Sequence, residues 1–357
     1  MTDNNTHQKY MNRCIELAKM GEGHTYPNPL VGSVIVYNGK IIGEGFHRKY
    51  GDPHAEVNAI NSVKDKSVLS DSTIYVNLEP CAHHGKTPPC ADLIISTGIK
   101  KVVVATIDPF AEVAGKGIER MIEAGIDVTV GVLEDEARFL NRRFFTFHEK
   151  KRPYIIIKWA QTLDGFIDSE RLDNNTPKWI TNDASRTIVH SWRANEMGIM
   201  IGTNTAKMDN PNLNVREWAV NNPVRIVLDR TLRLSPQLNV FDSSQNTIIY
   251  AGNNASSKKN IEQFEGKDKV EIVVVDYAKD VISEILDDLY NRGVQSIIVE
   301  GGTKLIESFY KNSQWDELRV FTGNTFFGKG VKAPEVIGEL CNEQRIDECC
   351  LSTYLNR

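Results

Sequence analysis

The chain has 357 residues, 41% of them hydrophobic and 25% charged, which suits two domains of ordinary size and excludes disorder and coiled coil. Against 47 Asp and Glu there are 42 Lys and Arg, a formal net charge of -5, so no basic excess is present to neutralise a nucleic-acid backbone, although a small phosphorylated ligand remains compatible. The polar opening Met1-Thr2-Asp3-Asn4-Asn5, the lack of any membrane-length apolar run and six unevenly spaced cysteines read as a cytoplasmic protein, with no membrane partner, whose reduced thiols are open to metal.

In chain order, Tyr10, Met11, Cys14, Leu17 and Ala18 recur at helical spacing over residues 7–20, and Gly21 stands where that helix would end. Segments 31–37 and 40–45 flank Asn38-Gly39, the dipeptide of a two-residue hairpin turn. Strands and helices then alternate, with a helix over 54–63, a strand over 73–78, a helix over 91–97, a strand over 101–106, a helix over 115–124, a strand over 127–130 and a helix over 135–149. The charged segment Glu149-Lys150-Lys151-Arg152-Pro153 ends in proline ahead of a β-rich run at 154–159, and implies domains of 1–149 and 150–357. Beyond it, strands are expected at 198–202, 224–228, 247–251, 271–275, 296–300 and 318–322, separated by helices at 183–195, 281–292 and 304–311. Both halves read as α/β.

The chemistry-bearing residues of the first half are His54-Ala55-Glu56 at the start of a helix, Pro80-Cys81 just after a strand, and Cys90 opening the next helix after Pro88-Pro89. One imidazole and two thiolates form a three-ligand zinc site, His54, Cys81 and Cys90, whose fourth position is left for water; four ligands would make a closed, structural site. Glu56 is not needed as a ligand and can carry a proton from that water to a leaving ammonia. Each motif alone is common, and buried cysteines usually do nothing more; it is their combination that indicates a deaminase.

In the second half no Gly-x-Gly-x-x-Gly follows a strand and opens a helix, which argues against a Rossmann domain. Val299-Glu300-Gly301-Gly302-Thr303 lies between an apolar strand and a helix, where glycines would let backbone N–H groups approach a phosphate. A plain strand-to-helix turn explains the same residues equally well.

The first half resembles the cytidine-deaminase-like superfamily. Its Cys81-Ala82-His83-His84-Gly85-Lys86-Thr87-Pro88-Pro89-Cys90 segment exceeds the Pro-Cys-x-x-Cys spacing of nucleoside deaminases, and with Pro27-Asn28-Pro29-Leu30-Val31-Gly32 it resembles the riboflavin-pathway pyrimidine deaminases. That resemblance implies Asn28 at the pyrimidine ring and His84 and Lys86 at the ring or the ribosyl phosphate, and it leaves His83 as an alternative ligand to Cys90. His24 and His47 read as surface or hydrogen-bonded structural histidines.

Lys158-Trp159-Ala160-Gln161-Thr162-Leu163-Asp164-Gly165, Trp179-Ile180-Thr181, Arg193-Ala194, Gly202-Thr203-Asn204-Thr205, Asp209-Asn210-Pro211-Asn212-Leu213 and Glu300-Gly301-Gly302 resemble, in order, the riboflavin-pathway reductases. The implied fold is dihydrofolate-reductase-like and the implied cofactor NADPH. By the same resemblance Gln161, Trp179, Thr205, Asp209 and the turn and helix of Gly302, Thr303, Lys304, Leu305, Ile306, Glu307 and Ser308 would line the cofactor. Lys158, Arg193, Leu213, Arg216 and Glu300 would line the substrate, the two arginines being suited to a ribosyl phosphate because guanidinium pairs with it bidentately. Pro177 stands where the family usually has serine, with Thr176 as a candidate replacement. Cys349-Cys350 matches nothing functional.

The expected activity is therefore zinc-dependent hydrolytic deamination of 2,5-diamino-6-(ribosylamino)-4(3H)-pyrimidinone 5'-phosphate, followed by NADPH-dependent reduction of its ribosyl to a ribityl chain. A homo-oligomer follows from the resemblance alone. Two rivals stand beside this reading: a nucleoside or tRNA deaminase with an unrelated second domain, and a non-catalytic zinc-stabilised nucleotide-binding module. The long cysteine loop argues against the first, and the intact Glu56 against the second.

Overall fold

Asn38 and Gly39 both take positive φ, 48° and 73°, as a two-residue hairpin turn requires, and join β1 (Gly32–Tyr37) to β2 (Lys40–Phe46). The computed structural model describes residues 2–82, 88–110, 113–170, 178–216 and 222–356, and the chain divides into two compact units, Met1–Lys150 and Lys151–Arg357.

In the first unit α1 (Thr2–Lys19) precedes the hairpin, and α2 (Ala55–Ser62), β3 (Thr73–Val76), α3 (Cys90–Ser96), β4 (Lys101–Val104), α4 (Lys116–Glu123) and β5 (Asp127–Val130) follow it. The sheet order is β2-β1-β3-β4-β5, with β3, β4 and β5 parallel and β1 antiparallel to both neighbours. Strand alternation divides the core between two faces. Val34, Val36, Tyr75 and Val103 pack with α1, while Ile35, Ile74, Val76, Val102 and Val104 pack with α2, α3 and α4, which gives three layers.

The single helix expected over 135–149 is two, α5 (Glu134–Leu140) and α6 (Arg142–Lys150). The break is at Asn141, whose side chain accepts from Leu30 N at 2.8 Å and donates to Leu30 O at 2.9 Å. Half-buried backbone groups of the loop ahead of β1 thus take precedence over helix continuity.

Gly45 lets α2 lie against β2: a Cβ there would overlap the Ala59 backbone nitrogen and come within 2.6 Å of Ala55 O. Gly45→Ala is expected to destabilise this unit by about 1–3 kcal/mol through overpacking, read as a lowered thermal midpoint of the first unit.

The second unit holds β6 (Tyr154–Thr162), β7 (Phe166–Ser169), α7 (Asp183–Asn195), β8 (Gly198–Gly202), α8 (Thr203–Asp209), β9 (Val224–Leu228), β10 (Thr247–Gly252), α9 (Ala255–Asn260), β11 (Val270–Val275), α10 (Val281–Asn291), β12 (Ser296–Val299), α11 (Thr303–Lys311), β13 (Glu317–Gly323), β14 (Gly330–Lys332), β15 (Glu339–Ile346) and β16 (Cys349–Leu355). Nine strands form one sheet in the order β11-β10-β9-β8-β12-β6-β13-β16-β15, parallel as far as β13 and antiparallel at β16 and β15. One face is covered by α10 and α11 through Ile285, Leu289, Ile306 and Phe309. On the other face Val189 and Trp192 of α7 meet Phe321. Cys349 is buried in β16.

Candidate active sites

His54 is the extended N-cap residue of α2 (φ -69°, ψ 165°), directly after Pro53, and its side chain makes no capping bond. The ring turns instead to two thiols, with Nδ1 3.6 Å from Cys81 Sγ and 3.3 Å from Cys90 Sγ. Cys81 leaves the end of β3 through Glu79-Pro80. Cys90 is the first residue of α3, and its N–H donates to Cys81 Sγ at 3.3 Å. Glu56, in the first turn of α2, is 3% exposed.

The donor atoms of His54, Cys81 and Cys90 all lie within 4.8 Å of one another. With metal–sulfur bonds of about 2.3 Å and metal–nitrogen bonds of about 2.1 Å, tetrahedral ligands stand roughly 3.5–3.8 Å apart, so the set fits zinc with one position left over. Cys90 and the His54 imidazole hold the Cys81 thiol well below its ordinary value, which favours the thiolate that binds metal. The Cys81 partner in turn lifts His54 to about 9. Burial lifts the Glu56 carboxyl to about 7 against the opposing pull of His54, which suits a group that must both take and give a proton.

Asn28, half-buried, places its Nδ2 3.0 Å from His47 Nε2, and His47 Nδ1 lies 3.2 Å from Pro53 O. An amide nitrogen only donates and a carbonyl only accepts, so His47 carries its proton on Nδ1. Its ring stands edge-on to His54, centroids 5.5 Å apart, and burial pushes its pKa down. Nothing in Phe46-His47-Arg48 marks this residue as the link between Asn28 and the start of α2. His83, His84 and Lys86 lie outside the described residues.

In the second unit Glu300 leaves the carboxyl end of β12 and meets Arg193 of α7, whose Nε donates to Oε1 at 2.8 Å and Nη2 to Oε2 at 2.7 Å. Lys158 lies one step beyond the Ile157–Val299 pair of β6 and β12. Burial works to raise the Glu300 carboxyl, but Arg193 and then Lys158 outweigh it and hold it at about 2. Burial pushes Lys158 below its ordinary value.

The resemblance implied that this guanidinium suits a ribosyl phosphate. The fork is committed to Glu300, and Nη1 donates to Asn214 O at 3.4 Å. Arg216 is exposed at the end of the same segment. Leu213 is 3% exposed within the core, at φ 49°. The segment is held from below by Arg225, which is 1% exposed and was not singled out from sequence. Its Nε donates to Asn212 O at 2.9 Å and its Nη1 to Asp242 Oδ1 at 2.7 Å, while Gln245 Nε2 donates to Leu213 O at 3.1 Å.

Gly301, at φ 98°, and Gly302 lead into α11. Leu305 N and Ile306 N bond to Gly302 O at 2.9 and 3.2 Å, so Thr303 and Lys304 carry the first-turn N–H groups that have no acceptor within the helix. Thr205 faces this turn: a Cβ on Gly302 would stand 3.4 Å from its Oγ1. The absent side chains leave a cradle in which backbone can approach an anion, so the turn fits the pyrophosphate of a nucleotide. Within it, Leu305 and Ile306 cannot line a cofactor with their side chains, because both are buried in the core. Glu307 is exposed, and Ser308 Oγ donates back to Lys304 O at 2.8 Å.

Gln161 Oε1 accepts from Trp159 Nε1 at 2.9 Å. Trp179 is 68% exposed, with the Arg186 guanidinium 4.7 Å from its ring centre, and Asp209 closes α8 in an exposed position. Thr176 and Pro177 lie outside the described residues.

Two families match the chain: the cytidine and deoxycytidylate deaminase zinc-binding region over residues 4–106, and the RibD C-terminal domain over residues 153–351. The riboflavin biosynthesis protein RibD of Aquifex aeolicus is 40% identical over 334 residues, which is 93% of this chain and 90% of that protein. RibD of Bacillus amyloliquefaciens is 41% identical over 332 residues, 92% of this chain and 87% of its own. Among solved structures, the diaminohydroxyphosphoribosylaminopyrimidine deaminase/5-amino-6-(5-phosphoribosylamino)uracil reductase of Thermotoga maritima is similar with a TM-score of 0.86 at 38% identity, covering 99% of each chain. RibD of Acinetobacter baumannii gives a TM-score of 0.86 at 32% identity, again with 99% of each chain covered.

Proposed function

Because the chain belongs to the RibD family, the bifunctional deaminase and reductase of riboflavin biosynthesis, we propose that His54, Cys81 and Cys90 hold the deaminase zinc, that Glu56 carries its proton, and that Lys158, Arg193 and Glu300 form the reductase centre. The first domain is the cytidine-deaminase-like, zinc-binding deaminase; the second is the dihydrofolate-reductase-like reductase, which uses NADPH. The observation that carries the site assignment is the convergence of one imidazole and two thiols on a single point, with a buried carboxyl beside them.

Bound zinc acts as a Lewis acid that makes a water nucleophilic at neutral pH. With zinc held by His54, Cys81 and Cys90, Glu56 would take a proton from the activated water at a carboxylate oxygen and return it to the departing amino nitrogen, so that a ring carbon would exchange its amino group for oxygen and release ammonia. Asn28, braced by His47, is the group we assign to orienting the pyrimidine ring. In the second domain bound NADPH supplies the hydride. Glu300, kept ionised by Arg193 and Lys158, would accept hydrogen bonds from the sugar, and the Thr303 and Lys304 N–H groups after the Gly301-Gly302 turn would hold the cofactor phosphates. Arg193 serves this centre by holding Glu300 and the Asn214 segment in place.

Cys81→Ala is expected to lose most of the bound zinc, measured as metal content after dialysis; unchanged content would remove Cys81 from the ligand set. The function as a whole is tested by adding the diaminated pyrimidine ribosyl phosphate to the zinc-loaded protein with NADPH. Ammonia release followed by NADPH oxidation supports both centres, and no oxidation even with the deaminated compound rejects the reductase assignment.

The proposal includes assembly as a homo-oligomer, which light scattering would read, and a cytoplasmic location. Among the described residues no helix is long and apolar enough to cross a membrane.

A further inference from the structure

The residue two before Cys81 is a glutamate that no step above uses. Glu79 is 4% exposed, yet its carboxylate meets no cation among the described residues. It accepts instead from four backbone N–H groups: Oε1 from Gly117 at 2.9 Å and Ile118 at 3.3 Å, Oε2 from Gly115 at 2.9 Å and Asp108 at 3.2 Å. Three of these belong to the start of α4, where the helix has no side-chain cap of its own and where a negative charge is favoured. The fourth ties in the segment that leaves β4.

The turn that follows Glu79 is seated against the same helix. A Cβ on Gly117 would overlap Pro80 O, so helix and turn touch backbone to backbone. Arg120, one turn further along α4, donates to Ala82 O at 3.2 Å. From the opposite side, Ala91 N at the start of α3 donates to Cys81 O at 3.2 Å. Cys81 is thus gripped between the starts of two helices, and Glu79 supplies the charged half of that grip. A ligand fixed in this way is spared the reorganisation that a loop thiolate would undergo on binding metal.

We propose that Glu79 is a positioning residue of the zinc centre, whose buried carboxylate locks the Pro80-Cys81 turn to the start of α4 and so sets the geometry and strength with which Cys81 binds the metal. The inference rests on reading His54, Cys81 and Cys90 as the ligands. Gln in place of Glu79 keeps shape and volume but turns an NH2 group toward N–H donors, so the grip fails on one side without opening a cavity.

The test uses the full-length protein loaded with zinc, and separately with cobalt as a spectroscopic probe. Glu79→Gln is expected to release zinc to a competing chelator about 10- to 100-fold faster than the parent, and to shift the visible ligand-field and thiolate-to-cobalt bands. NADPH oxidation with the deaminated substrate, which uses only the second domain, is expected to be unchanged, and the far-UV circular dichroism and melting transition of the zinc-loaded protein report that the first unit is folded. Gly117→Ala, which pushes α4 off the turn while leaving Glu79 in place, is expected to act in the same direction and substitutes for E79Q should that variant fail to fold. If release rate and cobalt spectrum match the parent, even with a lowered melting point, Glu79 is only a helix cap and the inference is overturned. If the parent itself shows no thiolate-to-cobalt band, it is the ligand assignment that fails.

Discussion

Replacing Glu56 by alanine is expected to lower ammonia release by roughly 10²- to 10⁴-fold while zinc content stays at the parental level. The two readouts separate because Glu56 lies beside the donor set and is not one of its three members. Its burial works toward the same end. With the carboxyl lifted to about 7, the group has comparable tendencies to accept and to return a proton under physiological conditions, as a shuttle requires. NADPH oxidation with the already deaminated substrate should be untouched, since it depends on a different unit of the chain. Near-normal ammonia release from the variant would take Glu56 out of the mechanism.

The second large effect is expected at Glu300. Glu300→Ala removes the partner of a buried guanidinium and leaves Arg193 beside Lys158 with the compensating charge gone, a change that costs about 3–5 kcal/mol. The reductase half should melt at lower temperature and lose NADPH oxidation, while ammonia release persists. Glu300→Gln keeps the volume but not the charge, and should fall between the two. The pair also has a pH signature. Held at about 2 against an ordinary value of 4.5, Glu300 contributes roughly 3 kcal/mol that is present above the ordinary carboxylate range and is lost as pH falls toward 2. Acid titration of the reductase half should therefore show this loss in the parent and not in E300Q; a parental acid profile in E300Q would count against the ion pair.

What could be read in the sequence follows from which interactions are local. The hairpin at Asn38-Gly39 was legible because its turn chemistry is written in adjacent residues. His54, Glu56, Cys81 and Cys90 could be singled out because residue type and flanking prolines mark them, and the fold brings the three donor atoms together. The break at Asn141 could not be read, because its cause is Leu30, far away in the chain. Arg193 could be singled out by resemblance, but the carboxylate that its fork meets stands 107 residues further on and has no local signal. The hairpin of β15 and β16 was missed for another reason: β15 is exposed at nearly every position, so no alternation betrays it. His47, Glu79 and Arg225 share the remaining difficulty. Each is a common residue type whose role is given by the groups that meet it in space and not by its neighbours in sequence.

The placement of β6 has a consequence for how the chain is made. It lies between β12 and β13, so a strand that ends at Thr162 waits for partners that begin only at Ser296 and Glu317. At ribosomal speeds that interval is on the order of ten seconds, during which an apolar Tyr154-Ile155-Ile156-Ile157 edge has no neighbour to pair with. The first unit, by contrast, is complete at Lys150 and can close while the rest is still being synthesised. Synthesis therefore delivers a finished deaminase ahead of a reductase that must fold nearly all at once, and the second half is where a chaperone would be needed.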